Sequence, residues 1–288
     1  MPTATPTMKP TPTQESILLE KVFVVTYYGG HNPNSSFDYN NLANIVTSDL
    51  NNITKTKANF QIVKNVTWQR PATQNGTNCD QYLSKVQSGN WTTNDWQTTN
   101  CWGSGTANYN TMLTENNICD LINSNQIDEV WFFGFGNGGF WEANMTGNGA
   151  FWTNGPIVNS TNCSKPTHIM GFNYELTPDY ALHSFGHRIE GVMRNFLPND
   201  FSQFNIFAPN GNSSCGTVHF PPNGTKDYDY ANSTFTNSDC EDWNISHTGK
   251  RTSINCNTWG CNQLGYMTWW LEHIPLNWWS YILKNTKQ

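Results

Sequence analysis

Apolar residues along this chain gather in a few short, unbroken runs separated by long polar stretches. Lys21–Tyr28 (KVFVVTYY) is continuous and β-branched, the pattern of a strand buried on both faces, and Gly29-Gly30 ends it. Within Tyr39–Leu50, the residues Leu42, Ile45, Val46 and Leu50 repeat at helical spacing. Phe60–Val66 predicts a second strand and Met112–Ile122 a helix. Glu129–Phe135 (EVWFFGF) and His168–Tyr174 (HIMGFNY) predict two more buried strands. Strands alternating with helices predict an α/β fold, a mostly parallel sheet flanked by helices on both faces.

Two regions break this rhythm. Residues 67–110 are rich in Asn, Thr, Gly and Trp and hold two cysteines, which predicts a long pinned insertion. Beyond about residue 197 the periodicity dissolves into Asn/Gly/Pro loops, followed by short Trp-rich helices near Leu264–His273 and Asn277–Leu283. Residues 197–288 are expected to form an irregular, disulfide-bonded C-terminal cap on the sheet, so that 17–288 is a single α/β domain. Residues 1–16 (MPTATPTMKPTPTQES) alternate Pro and Thr, cannot pack, and read as an extended linker from a multi-module protein. Residues 1–16 themselves carry no apolar stretch of the kind a signal peptide needs.

Composition narrows the address. Charged residues make up 12% of the 288 positions, against a usual share of about 25%, and the polarity comes from Asn, Ser and Thr. The net charge is -6 with no basic run, so no nucleic-acid partner is expected. No stretch of about 18 apolar residues occurs, so no membrane span is expected. The 8 cysteines are widely and irregularly spaced and form no C-x-x-C pair, which favours disulfides over a cysteine metal site. Their pairing stays open, although Cys256 and Cys261 could close a local loop. Twelve N-x-S/T sequons (Asn34, Asn52, Asn65, Asn75, Asn90, Asn144, Asn159, Asn162, Asn212, Asn223, Asn232, Asn244) are candidate N-glycan acceptors on surface loops. Together these features point to an extracellular or cell-surface protein.

The segment richest in chemistry is Gly171–Phe196. Thr177 suits an N-cap, Pro178 the first helical position and Asp179 the first turn. Winding the following residues at about 100° each places Leu182, Phe185, Ile189, Val192, Met193 and Phe196 on one stripe. His183, His187, Glu190 and Arg194 share another. Histidines at i and i+4 can reach one metal, with Glu190 as third ligand or as the partner of a ligand. The bland alternative is a solvated face carrying a Glu190–Arg194 ion pair worth about 0.2–0.5 kcal/mol.

LHSFGH resembles the zinc-peptidase helix H-E-x-x-H, with His183 and His187 in the ligand positions. The resemblance implies zinc. The chain departs from it at Ser184, where the family carries its catalytic Glu, and Glu175 at the preceding strand end is the candidate base instead. A broader resemblance, through DEVWFFG, MGFNYE, FGHRIE, CGTVHFPPN, DYDYAN and NWW, is to secreted bacterial proteins of unassigned function. It implies an extracellular life and no particular activity.

Other candidates are sparser. His219, in CGTVHFPPN, is the residue to complete a His/His/His or His/His/Glu set, or else a satisfied loop histidine. Asp227 and Asp229, with Asn232, offer oxygen ligands of the kind calcium takes, at incomplete EF-hand spacing. Glu142 follows a Gly-rich loop past a strand, but G-x-G-x-x-G is absent and no dinucleotide is expected. Glu142 and Glu175 could form a two-carboxylate glycosidase pair. No G-x-S-x-G elbow occurs. Most of the Trp residues are expected in the core, while Trp91, Trp96 and Trp102 in the insertion could stack on sugars. Two functions follow: a secreted, metal-dependent hydrolase of an extracellular peptide or glycan polymer, or a non-catalytic glycan-binding or adhesive module.

Overall fold

A computed structural model describes residues 17–27, 41–54, 57–68, 70, 72, 88, 107–134, 139–159, 161–173 and 177–284. The linker 1–16, Glu175, Cys79, Cys101, Trp91, Trp96 and Trp102 lie outside them. The strands are β1 (Leu18–Tyr27), β2 (Ala58–Trp68), β3 (Glu129–Gly134), β4 (Ala143–Thr146) and β5 (Thr167–Asn173). They form a five-stranded sheet in the order β2-β1-β3-β5-β4. β1 pairs in parallel with β2 and β3, and β3 with β5; β4 alone runs antiparallel, with Ala143 opposite Met170 and Thr146 opposite Thr167. Periodicity does not predict β4, because four residues are too few to show a repeat.

Alternate residues of β1 divide between two buried clusters. Val22 and Val24 join one, with residues of α1 (Leu42–Ile53) and of the long helix α4 (Pro178–Phe196). Phe23 and Val25 join the other, with residues of α2 (Tyr109–Glu115) and α3 (Ile118–Asn123). This is the period-2 pleat of a strand buried on both faces. The single helix expected over Met112–Ile122 is instead these two short ones. Asn117 between them takes φ 54°, a left-handed conformation that Asn tolerates and that breaks the helical ladder.

The region after residue 197 contains α5 (Pro198–Phe204), a three-stranded sheet of β6 (Asn212–Ser213), β7 (Thr236–Ser238) and β8 (Thr252–Ile254), then α6 (Gln263–Glu272) and α7 (Trp279–Lys284). Cys215–Cys240 and Cys256–Cys261 staple it, and Cys119–Cys163 ties α3 to the segment before β5. Cys215, Val218, Trp270 and Trp279 belong to the same buried cluster as Val22 and Val24. The core expectation for Trp holds at Trp131, Trp259, Trp269, Trp270, Trp278 and Trp279. It fails at Trp152, which is 55% exposed. Several sequons do not lie on surface loops: Asn52, Asn65 and Asn212 are exposed in α1, β2 and β6, Asn144 sits in β4 and is fully buried, and buried Asn223 donates to the carbonyls of Asn232 and Thr234. No helix among the described residues is long and apolar enough to cross a membrane.

One polar contact runs through the core. Arg188 of α4 and Glu129 of β3, both fully buried, form an ion pair. Arg188 also donates to the carbonyl of Ile282 in α7 at 3.0 Å, and Trp131 Nε1 donates to Glu129. Glu20 of β1 lies beside them; burial and the Glu129 charge push its carboxyl well above the usual range. Breaking a buried pair on one side strands the remaining charge, at about 3–5 kcal/mol. Arg188→Met is therefore expected to lose about 3–5 kcal/mol in urea unfolding. A loss under about 1 kcal/mol, the scale of an exposed pair, would remove this contact as the anchor of α4.

Candidate metal centre

The polar face of α4 is largely covered, with Arg194 alone of its four residues exposed. His183 is 4% exposed and Glu190 5%. One helical turn separates His183 from His187, and their Nε2 atoms stand 3.1 Å apart. His219 arrives from the cap, its Nε2 3.2 Å from that of His187. Two nitrogens held at about 2.0–2.1 Å by a tetrahedral ion are about 3.3 Å apart, so these separations fit one metal ion. Among the described residues no other group of three His, Cys, Asp or Glu side chains converges in this way.

The loop carrying His219 is tightly held. The Cys215–Cys240 disulfide pins its start. The Val218 N–H donates to Glu190 Oε1 at 3.2 Å, and Tyr230 donates to the Val218 carbonyl at 2.7 Å. Tyr266 Oη donates to the Thr217 carbonyl at 2.7 Å, and Thr217 Oγ1 accepts from the N–H groups of His219 and Phe220. Two glycines let other segments approach α4. A Cβ on Gly186 would fall 2.7 Å from the Val218 side chain, and one on Gly191 2.5 Å from the Thr153 backbone. Helix-interior glycine costs about 1 kcal/mol relative to Ala, a cost offset here by the contacts it permits.

Carboxylates stand behind two of the three ligands. Glu190 Oε2 lies 3.4 Å from His187 Nδ1 and also accepts from Arg194 at 3.0 Å. With Oε1 on Val218, Glu190 serves the far nitrogen of His187, the outer-partner role. Asp227 Oδ1 lies 3.6 Å from His219 Nδ1. His183 Nδ1 is buried without a hydrogen-bond partner. Burial and the neighbouring His187 and His219 push the His183 pKa down to about 3, so it stays neutral and ready to ligate. Burial and His187 also lower His219. Burial pulls His187 down too, but the Glu190 hydrogen bond and the Glu142 and Glu190 charges outweigh it and raise its pKa. Burial raises Glu190, but His187 and Arg194 reverse this and hold it ionised.

Glu142 reaches the same centre from the sheet. β4 runs antiparallel to β5, so the residue before it emerges at the carboxyl end of β5, where α4 departs. Open α/β sheets bind ligands at that end. Glu142 Oε2 lies 3.6 Å from His187 Nε2 and accepts from Asn154 at 3.0 Å. Its Oε1 accepts from Ser184 Oγ at 3.4 Å. The carboxylate that the helix lacks at Ser184 is thus supplied at that serine by another segment.

The carboxylates of the DYDYAN segment engage neighbouring groups. Asp227 faces His219, and Asp229 Oδ2 accepts from Thr225 N, Thr225 Oγ1 and Asn232. Between them Tyr228, which sequence reasoning passed over, places Oη 3.3 Å from His219 Nε2. Burial and the charges of Glu142 and Asp227 raise its pKa. Nothing in the pattern of DYDYAN marks that tyrosine. A Ser214–Asp239–His247 cluster is not a catalytic triad. Ser214 is fully buried and meets His247 at Nδ1, the nitrogen that Asp239 already holds.

Removing both ring ligands of α4 (His183→Ala with His187→Ala) is expected to abolish zinc uptake. Glu190→Gln keeps an acceptor for Val218 but loses the charge behind His187, and should weaken zinc binding about 10–100-fold. Competition with a chromophoric chelator measures this, and unchanged affinity in Glu190→Gln would remove Glu190 from the centre. No family model, curated protein or solved structure shows significant similarity to the chain, so a functional reading rests on this geometry.

Proposed function

We propose that this chain is a secreted, metal-dependent hydrolase acting on an extracellular polymer at a carbonyl-centred bond, a peptide bond or an acyl ester or amide carried by a glycan. The observation that carries the reading is the convergence of three histidine Nε2 atoms, 3.1 and 3.2 Å apart, with a carboxylate oxygen 3.6 Å from the middle one. Three neutral imidazoles suit zinc, and three protein ligands leave a coordination position for water or substrate. When bound, such an ion polarises a carbonyl and makes water more acidic.

The chain's own groups take the remaining roles. His183, His187 and His219 hold the ion. Glu190 and Asp227 orient His187 and His219 through their far nitrogens. Glu142 is the general base, taking a proton from the attacking water, and it stands where Ser184 leaves room for it. It takes over the role first given to Glu175. The extracellular address is supported by three disulfides between described cysteines and by sequons on exposed Asn52, Asn65, Asn159, Asn162 and Asn212. A convergent titratable cluster favours the hydrolase reading over the adhesive-module one.

Protein made in an oxidising secretory host is expected to carry about one zinc per chain by mass spectrometry. Glu142→Gln should keep that zinc while turnover of fluorescein-labelled casein or p-nitrophenyl acetate falls about 10²–10⁴-fold. Zinc-free protein that also takes up none on dialysis would sink the proposal.

A further inference from the structure

We infer that Tyr228 is a catalytic residue of this centre, its phenol hydroxyl donating a hydrogen bond to the carbonyl oxygen as negative charge develops there. The inference rests on the metal-hydrolase reading above. Tyr228 Oη lies 3.3 Å from His219 Nε2, and its ring stacks on His183 at 5.7 Å and leans on His219 at 4.7 Å. Glu142 approaches the convergent nitrogens past His187, and Tyr228 approaches past His219. A base and a donor therefore reach the same centre past different ligands.

The backbone holds Tyr228 there against its own preference. Its φ is 59°, a left-handed conformation in which glycine or asparagine is usual and an aromatic residue is rare. The Tyr228 N–H donates to the His219 carbonyl at 2.8 Å, and the three hydrogen bonds on Asp229 fix the next residue. For this strain the ring gains little burial, since Tyr228 is 54% exposed. Strained non-glycine residues cluster where geometry serves a site. An exposed ring also leaves the hydroxyl within reach of a substrate.

Tyr228 and a metal ion share one acceptor, the lone pair of His219 Nε2. Once that pair is bound to the ion, the hydroxyl is released to donate elsewhere. In the reaction, water forms its bond to the carbonyl carbon as Glu142 takes one of its protons. The C=O π pair moves onto the oxygen, where the Tyr228 O–H meets it. When that pair reforms the carbonyl, the bond to the leaving group breaks. The leaving group departs with the proton from Glu142, giving a carboxylic acid and an amine or alcohol. Tyr228 keeps its own proton throughout.

Acetohydroxamate tests this without relying on turnover, because it binds a metal and presents an oxygen to the same donor. Wild-type and Tyr228→Phe proteins are loaded with Co(II) and titrated with acetohydroxamate, following the Co(II) visible absorption. The phenylalanine keeps the ring stacking, so Co(II) affinity should stay within about threefold while acetohydroxamate binds at least about tenfold more weakly; one lost oxyanion donor costs about 10²–10³ in kcat. Any p-nitrophenyl acetate turnover should lose kcat on that scale at unchanged KM. Equal acetohydroxamate affinity in the two proteins would overturn the role of Tyr228 and leave the metal centre standing. Failure of the wild type to take up Co(II) would instead bring down the metal-centre reading, and Tyr228 with it.

Discussion

The orientation of α4 about its own axis depends on one buried contact. Arg188 reaches Glu129 in the central part of the sheet and the Ile282 carbonyl in α7, with nothing exposed on either charged partner. Apolar packing alone is tolerant of small helix rotations, because it is not directional. A guanidinium bonded to a buried carboxylate is directional, and a mismatch leaves a charge without a partner. His187 precedes Arg188 in the chain, so the rotation that satisfies Arg188 also sets where His187 points. The same helix thus carries the sheet anchor on one side and two candidate ligands on the other.

The centre is assembled from three separate stretches of chain. α4 supplies His183, His187 and Glu190; the segment before β4 supplies Glu142; the cap supplies His219, Asp227 and Tyr228. Each approach to α4 uses a small residue on the helix: Gly186 admits the Val218 loop, Gly191 admits Thr153, and Ser184 leaves room for Glu142. A glutamate at 184 would add a second carboxylate beside Glu142, and like charges at that range repel. The departure from H-E-x-x-H is consistent with a carboxylate delivered from elsewhere rather than with its loss.

Much of this could be read from residue order. The runs that became β1 and β3 were legible as buried strands because they are dominated by apolar and β-branched residues, and they form adjacent parallel strands. The stripe Leu182, Phe185, Ile189, Val192 and Met193 is buried as its spacing requires. His183 and His187 share a face by helical geometry alone. Local pattern failed where a single residue's conformation decided the outcome, as at Asn117, or where an element was too short to repeat, as in β4. It also left open whether Glu190 and the histidines are ligands or a solvated face, since periodicity shows which residues lie together and not what covers them.

Sequence by itself therefore determined the strands β1, β2, β3 and β5, the helices α1 and α4 and the His183–His187 pair, because each depends on residues within a turn or a pleat of one another. Tertiary structure alone decided that His219 joins that pair, that Glu142 meets Ser184, and that Tyr228 faces His219. Those residues are separated by 32, 42 and 9 positions. Their meeting depends on sheet order, on disulfide pairing and on loop conformation, none of which leaves a periodic trace in the chain.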